Sequence, residues 1–173
     1  ARFAVLNPTP TIDRLAHEGT LFENDFCTNS ICAPSRATLI TGKHSHLNGK
    51  YGNRDKFNHD QQQFQKILQK NGYQTVMVGK IHLNGDMQGF DYWEVLPGQG
   101  KYFNPVFYET GGGTNLVKMT GHSSDCVMDS ALAWFKGKRD PEQPFFLKLP
   151  FKAPHDYFEN APRYDDYLSN INM

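Results

Sequence analysis

Phe145-Phe146-Leu147-Lys148-Leu149-Pro150-Phe151 is a short, near-continuous apolar run that follows a polar connector, Arg139 to Pro144. A strand wetted on one face alternates apolar and polar residues. A run apolar at almost every position suits a parallel strand covered on both faces. Upstream, Asp125 to Lys136 has helical spacing, with Met128, Ala131, Leu132 and Phe135 predicted on the inward face. Further upstream the pattern repeats. Tyr73 to Val78 is apolar and β-branched, and a helix from Gln63 to Lys70 precedes it, with Phe64, Ile67 and Leu68 inward and Gly72 as its stop. Thr20 to Phe26, with Leu21, Phe22 and Phe26 apolar, is a third strand candidate. A helix from Ser35 to Thr41 follows it, opened by Ala33-Pro34 and ended by Gly42. Thr9-Pro10-Thr11 caps a first short helix through Ile12, Leu15 and Ala16, stopped at Gly19. Strands alternating with helices predict an α/β fold with a largely parallel sheet flanked by helices.

Between these elements, Lys43 to Gln61 reads as an exposed loop. Asn84 to Gly121 reads as loop-rich, with Gly98, Gly100 and Gly111-Gly112-Gly113, and Tyr164 to Met173 as a polar tail. There is no repeat, low-complexity tract or linker, so the 173 residues suit one domain. Lys plus Arg and Asp plus Glu are 18 each. Bulk charge therefore argues against nucleic acid or an anionic membrane as partner, and any anion site must be local. No apolar run approaches the ~20 residues of a membrane helix. Ala1 to Leu6 carries no signal-peptide pattern. Cys27, Cys32 and Cys126 lack metal-type spacing, and Cys27 and Cys126 read as buried thiols.

In open α/β sheets, ligands bind beyond the carboxyl ends of the strands. Three such ends carry chemistry here: Cys32, Ser35 and Arg36 after the first strand candidate; Gly79, Lys80 and His82 after the second; Lys152, Pro154 and His155 after the third. Arg offers a planar donor fork and Lys a point charge, which together suit a tetrahedral anion. The N–H groups opening the helix from Ser35 also favour an anion, and a helix start lowers the pKa of a nearby thiol. Histidines are natural acids near neutral pH.

Cys32-Ala33-Pro34-Ser35-Arg36-Ala37-Thr38-Leu39-Ile40-Thr41-Gly42 resembles the signature of the type I sulfatases, with its Cys-x-Pro-x-Arg core and Thr-Gly end. Asn7 to Ala16 resembles the family's preceding segment. Gly79-Lys80-Ile81-His82-Leu83 is similar to its second signature, and Lys152-Ala153-Pro154-His155 to its later His/Pro segment. The resemblance covers essentially the whole chain. It implies an alkaline-phosphatase-like sulfatase fold with a largely parallel mixed sheet. On this reading residues 1–173 are part of the N-terminal catalytic domain, truncated at both ends, without the first strand and the C-terminal portion.

The resemblance further implies that a separate maturation enzyme oxidises Cys32 to formylglycine (3-oxoalanine). One hydroxyl of the hydrated aldehyde attacks sulfur, and the second expels sulfate. Arg36 would hold the hydrate, Lys80 a sulfate oxygen, and His82 the hydrate. His155 would protonate the leaving oxygen. Some members place the acting His two residues before the Pro, at Lys152 here, so Lys152 can face the sulfate with His155 at the leaving group. The metal is Ca²⁺, with Mg²⁺ as the alternative ion. Cys32, as formylglycine, is one ligand, and the acidic pairs that supply the others are expected outside this chain. Asp165-Asp166 follows no strand and is not expected to replace them. Phe90, Tyr92 and Trp93, then Leu96 to Pro105, resemble carbohydrate sulfatases of the N-acetylglucosamine-6-sulfatase type. The implied function is a sulfuric ester hydrolase acting on a sulfated carbohydrate, located in the periplasm, outside the cell or in lysosomes. The alternatives are a phosphoester or phosphonate hydrolase of the same superfamily, and an inactive sulfated-glycan-binding relic. The isolated 173 residues are expected to be inactive.

Overall fold

The computed structural model describes residues 8–110, 115–167 and 169–170. The element order is α1 (Pro10–Glu18), α2 (Cys32–Thr41), α3 (Ser45–Asn48), α4 (Phe64–Lys70), β1 (Gln74–Lys80), β2 (Tyr92–Leu96), β3 (Val106–Glu109), β4 (Leu116–Lys118), α5 (Ser123–Gly137) and β5 (Phe145–Lys148). A 3-10 turn, Pro162–Tyr164, follows. The strands form a mixed sheet in the order β4-β3-β2-β1-β5. β1 runs parallel to β2 on one side and to β5 on the other, with Val76 opposite both Tyr92 and Leu147. The β2-β3-β4 stretch is an antiparallel meander.

β1 is central and covered on both faces, which is why its apolar run is nearly continuous. Successive side chains point to opposite faces. Val76 and Val78 join Leu96, Phe107, Cys126, Val127, Ala131 and Trp134 beneath α5. Met77 joins Ala33, Ala37, Ile40, Phe57 and Val95 beneath α2. Phe64 of α4 meets Phe146 edge-on at 5.0 Å between ring centres. Three layers result, and both the thiol-bearing helix and the end of β1 lie on one side.

Several expectations are corrected. Thr20 to Phe26 is not a strand: Leu21, Phe22 and Phe26 are 69, 77 and 83% exposed, and no strand pairs with them among the described residues. Three apolar residues without alternation gave no register to any partner. The stretch read as loop-rich, Asn84 to Gly121, contains three strands, too short to stand out in a glycine-rich sequence. Its Gly111 to Gly113 lie outside the described residues. The segment read as an exposed loop, Lys43 to Gln61, contains α3 and buries Asn48, Lys50, Phe57 and His59. On α5 the buried stripe is Ser123, Cys126, Val127, Ser130, Ala131 and Trp134, whereas Met128, Leu132 and Phe135 are exposed. Two adjacent stripes share Ala131, and the one that carries Val127 and Trp134 packs against the sheet. On α4, Gln65 is buried and Ile67 exposed. β5 ends at Lys148, short of Phe151. Cys126 is buried as expected, but Cys27 is exposed.

Gly79 sets how closely β1 and the chain after β5 can run. Its φ is +118°, and a Cβ there would stand 2.1 Å from the Pro150 carbonyl oxygen, which accepts the Lys80 N–H at 2.8 Å. An L side chain disfavours that φ and cannot occupy that space. Gly79→Ala is expected to lower the free energy of unfolding by ~3 kcal/mol, measured as a fall in the denaturant midpoint at unchanged slope.

Candidate active site

Cys32 is the first residue of α2, so the helix starts earlier than the expected Ser35. It therefore follows no strand. A helix N-terminus, rather than a third strand end, presents it. Arg36 lies one turn on, on the same face. Its Nη1 donates to the carbonyl of Lys80, the last residue of β1, and ties the helix to the strand end. A bond from a charged donor is worth ~1.5–3 kcal/mol. Two residues further on, His82 has φ +52°. Its Nδ1 lies 3.1 Å from Cys32 Sγ. On the other side of the thiol, Asn53 Oδ1 is 3.2 Å away. Lys80 is 2% exposed, and its Nζ donates to Gln99 Oε1.

Lys152 and His155 form a second group beyond β5. Lys152 is buried, its Nζ 4.6 Å from the centre of the Tyr102 ring and 3.4 Å from the Asp156 carbonyl oxygen. The His155 Nδ1 side is paired with the Asp156 carboxylate. Tyr102 donates its hydroxyl to the His155 carbonyl. Cys32 thus touches His82 directly and Arg36 meets Lys80 through its carbonyl, and the two pairs lie within electrostatic range of each other. Lys152 and His155 line a cleft of about 560 Å³ with Gln99, Lys101 and Tyr102, and Gln99 joins the two groups by also accepting from Lys80. A second hollow, about 380 Å³, opens on His82, Asp86, Trp93 and Tyr108.

The site is cationic and short of counter-charge. Burial, reinforced by Lys80, Arg36, Lys50 and His155, holds His82 below the usual histidine range, so it is neutral at pH 7. Burial also lowers Lys80, a shift the Cys32 side opposes and Arg36 and Lys152 reinforce. Lys148 on β5 falls to about 8 through burial, with Arg36 adding to it. Such a set gains most from an anion placed among its donors.

The motif reading assigned no site role to Lys50, Asn53 or Lys148, and took in Gln99 and Tyr102 only as part of the Leu96 to Pro105 stretch. Lys148 had a signal: a cation inside an apolar run is costly to bury and asks for a reason. Lys50 and Asn53 sit in a polar, glycine-punctuated stretch whose composition suggests only a loop.

Two groups implied by the resemblance can be tested against these residues. A hard cation of the Ca²⁺ type needs about six to eight oxygen ligands. No cluster of three or more His, Cys, Asp or Glu that could hold a metal exists among the described residues. Asp165 and Asp166 are exposed, beyond the 3-10 turn. The described residues alone do not fit that ion. A side chain at position 32 bearing two hydroxyls does fit, because two separate acceptors, Asn53 Oδ1 and His82 Nδ1, stand within hydrogen-bond distance of the sulfur position.

Comparison with known proteins agrees with this geometry. The family model described as Sulfatase matches residues 4–170. An N-acetylglucosamine-6-O-sulfatase of Bacteroides thetaiotaomicron is 43% identical over 165 residues, covering 94% of this chain and 29% of the relative. The human N-acetylglucosamine-6-sulfatase is 28% identical, covering 88% of this chain and 32% of the relative. A solved structure described as a complex with its substrate D-glucosamine-2-N,6-O-disulfate superposes with a TM-score of 0.92 at 42% identity, covering 97% of this chain and 34% of that one. The chain spans about a third of the length of the curated relatives it matches. A thiol-bearing helix start, a cationic strand end and a family match across nearly every residue converge: the chain belongs to the sulfatase family.

Proposed function

We propose that the full-length protein is a sulfuric ester hydrolase that removes sulfate from a carbohydrate, 6-O-sulfate on N-acetylglucosamine-type units, using formylglycine made from Cys32 by a maturation enzyme. The observation that carries this is the thiol of Cys32 held 3.1 Å from a neutral His82 among Arg36 and buried Lys80. The 43% identical relative and the disulfate-bound neighbour support the sugar assignment. The implied compartment is periplasmic, extracellular or lysosomal. No helix among the described residues is long and apolar enough to cross a membrane.

Each residue has a chemical part. Formylglycine, when formed, supplies a nucleophilic hydroxyl with a second hydroxyl on the same carbon. Lys80, desolvated and a point charge, binds a sulfate oxygen once Gln99 yields it. Arg36 stays charged despite burial and fixes the helix start against the strand end. Neutral His82 accepts a proton from the side chain at position 32. Lys152 steadies the anion from the far side, and His155, oriented through its Nδ1 side by Asp156, offers its other nitrogen to the leaving oxygen. We also propose that carboxylates outside these 173 residues complete a Ca²⁺ or Mg²⁺ site, with position 32 as one ligand; no step above depends on that ion.

Peptide mass spectrometry of the full-length protein, produced beside a maturation enzyme, is expected to find formylglycine at position 32. An active preparation carrying only thiol would sink the mechanism. Turnover of 6-sulfated N-acetylglucosamine should exceed that of the matching phosphate ester; the reverse would favour the phosphohydrolase alternative.

Lys80→Ala and His82→Ala are each expected to cut kcat by about a hundredfold without unfolding the protein. The pH profile has a definite sign. Burial and neighbouring cations hold His82 below its ordinary ~6.5, so the acid limb of kcat/KM should lie below that pH. Bound sulfate favours the imidazolium, so the acid limb of kcat should lie higher than that of kcat/KM.

Calorimetric titration of the 173-residue chain alone should detect no micromolar Ca²⁺ binding. Binding of that strength would mean that the ligands lie within it after all.

A further inference from the structure

We propose that Asn53 is the orienting acceptor for the side chain at position 32, and that buried Lys50 is a positioning residue acting through it; the inference rests on the formylglycine reading of Cys32. α2 begins with unsatisfied N–H groups, and the residue before it, Ile31, has no side chain able to accept one. Asn53 fills that place from twenty positions away. Its Oδ1 accepts the Ala33 N–H at 3.2 Å and the Cys32 thiol at 3.2 Å. One carboxamide oxygen thus serves both the helix start and the reacting side chain.

Asn53 is itself exposed, so packing does not set its pose. Its loop does. Lys50 is fully buried, and its Nζ donates to the carbonyls of Asn53, at 3.2 Å, and of Asp55. The Lys50 N–H is taken by Asn48 Oδ1 at 2.8 Å. Asp55 Oδ2 accepts the N–H groups of Tyr51 at 3.2 Å and Gly52 at 2.6 Å. A buried ammonium is costly unless its donors are satisfied. Here they are spent on closing the loop that carries Asn53, directly onto the Asn53 backbone.

The chemistry explains why an amide suits this place. The two hydroxyls of an aldehyde hydrate are chemically equal. Here the acceptors around position 32 differ: His82 Nδ1 can take a proton, whereas the Asn53 oxygen can accept a hydrogen bond but cannot take a proton near neutral pH. Asn53 therefore retains one hydroxyl and leaves the other facing His82. It also favours the hydrate over the free aldehyde, which has no hydroxyl to donate.

The test compares the matured full-length protein with Asn53→Ala, Lys50→Met and the double variant. It reads formylglycine content by mass spectrometry, kcat and KM on 6-sulfated N-acetylglucosamine, and the rate of oxime formation with an aminooxy reagent, which captures only free aldehyde. Asn53→Ala should mature normally, lose about tenfold to thirtyfold in kcat with KM within about twofold, and form the oxime at least about threefold faster, as loss of one acceptor bond implies. A helix cap alone would lower thermal stability and leave the oxime rate unchanged. Lys50→Met should shift kcat and oxime rate the same way, and the double variant should lose no more than Asn53→Ala. Wild-type kcat and oxime rate in Asn53→Ala would overturn the inference. Should that variant not fold, unchanged values in Lys50→Met would do so, and full additivity would overturn the link between the two residues. A wild-type protein without aldehyde or without sulfate-ester turnover would instead refute the proposed function.

Discussion

The close approach of the chain at Gly79 and Pro150 governs the geometry of the whole site. β1 and β5 run parallel, and where they end the Lys80 N–H still reaches the Pro150 carbonyl, with no room for a Cβ at Gly79. That contact brings Lys80 and His82 within electrostatic range of Lys152 and His155, although the two pairs are about seventy residues apart in sequence. A parallel pair cannot be joined by a tight turn, so the intervening chain must cross over. Here it adds the β2-β3-β4 meander, which extends the sheet, and α5, which covers one face of it; the β2–β3 connection supplies Gln99 and Tyr102 to the cleft.

Electrostatics sets the resting state of the site. Arg36, Lys50, Lys80, Lys148 and Lys152 gather with little acid between them, and burial penalises the charge on several of them. The structure tolerates this by spending carbonyl and amide oxygens: Arg36 on Lys80, Lys50 on Asn53 and Asp55, Lys80 on Gln99, Lys152 on Asp156. Neutral acceptors satisfy the donors without cancelling the field. Such a site favours an anion, and on the proposed function the side chain at position 32 is the nucleophile that the anion meets.

Much of this was legible in residue order. The apolar runs at Tyr73 to Val78 and Phe145 to Phe151 mark the parallel strands β1 and β5, although only β1 is buried and β5, at the sheet edge, is half-exposed, and Cys32-x-Pro34-x-Arg36 carries the family resemblance. Element type followed from periodicity where the pattern was long. It failed for Thr20 to Phe26, whose apolar residues have no partner strand among the described residues, and for Tyr92 to Lys118, whose three strands are too short to stand out between glycines. On α5 two apolar stripes compete, and only the volume available against the sheet chooses between them.

What the sequence by itself determined is the local chemistry: a thiol one helical turn from an arginine, a lysine two residues from a histidine, and the apolar runs that become the parallel strands β1 and β5. Side-chain type, backbone propensity and short-range spacing are properties of neighbours along the chain. The tertiary structure decided what these groups meet. It placed Asn53 and buried Lys50 at the start of α2, turned Gln99 onto Lys80, and lowered the pKa of His82 by burying it and setting cations around it. Those outcomes depend on burial and on contacts across twenty to seventy residues, and no local pattern encodes either. A glycine-rich polar stretch has the composition of a loop whether or not folding carries its lysine inside.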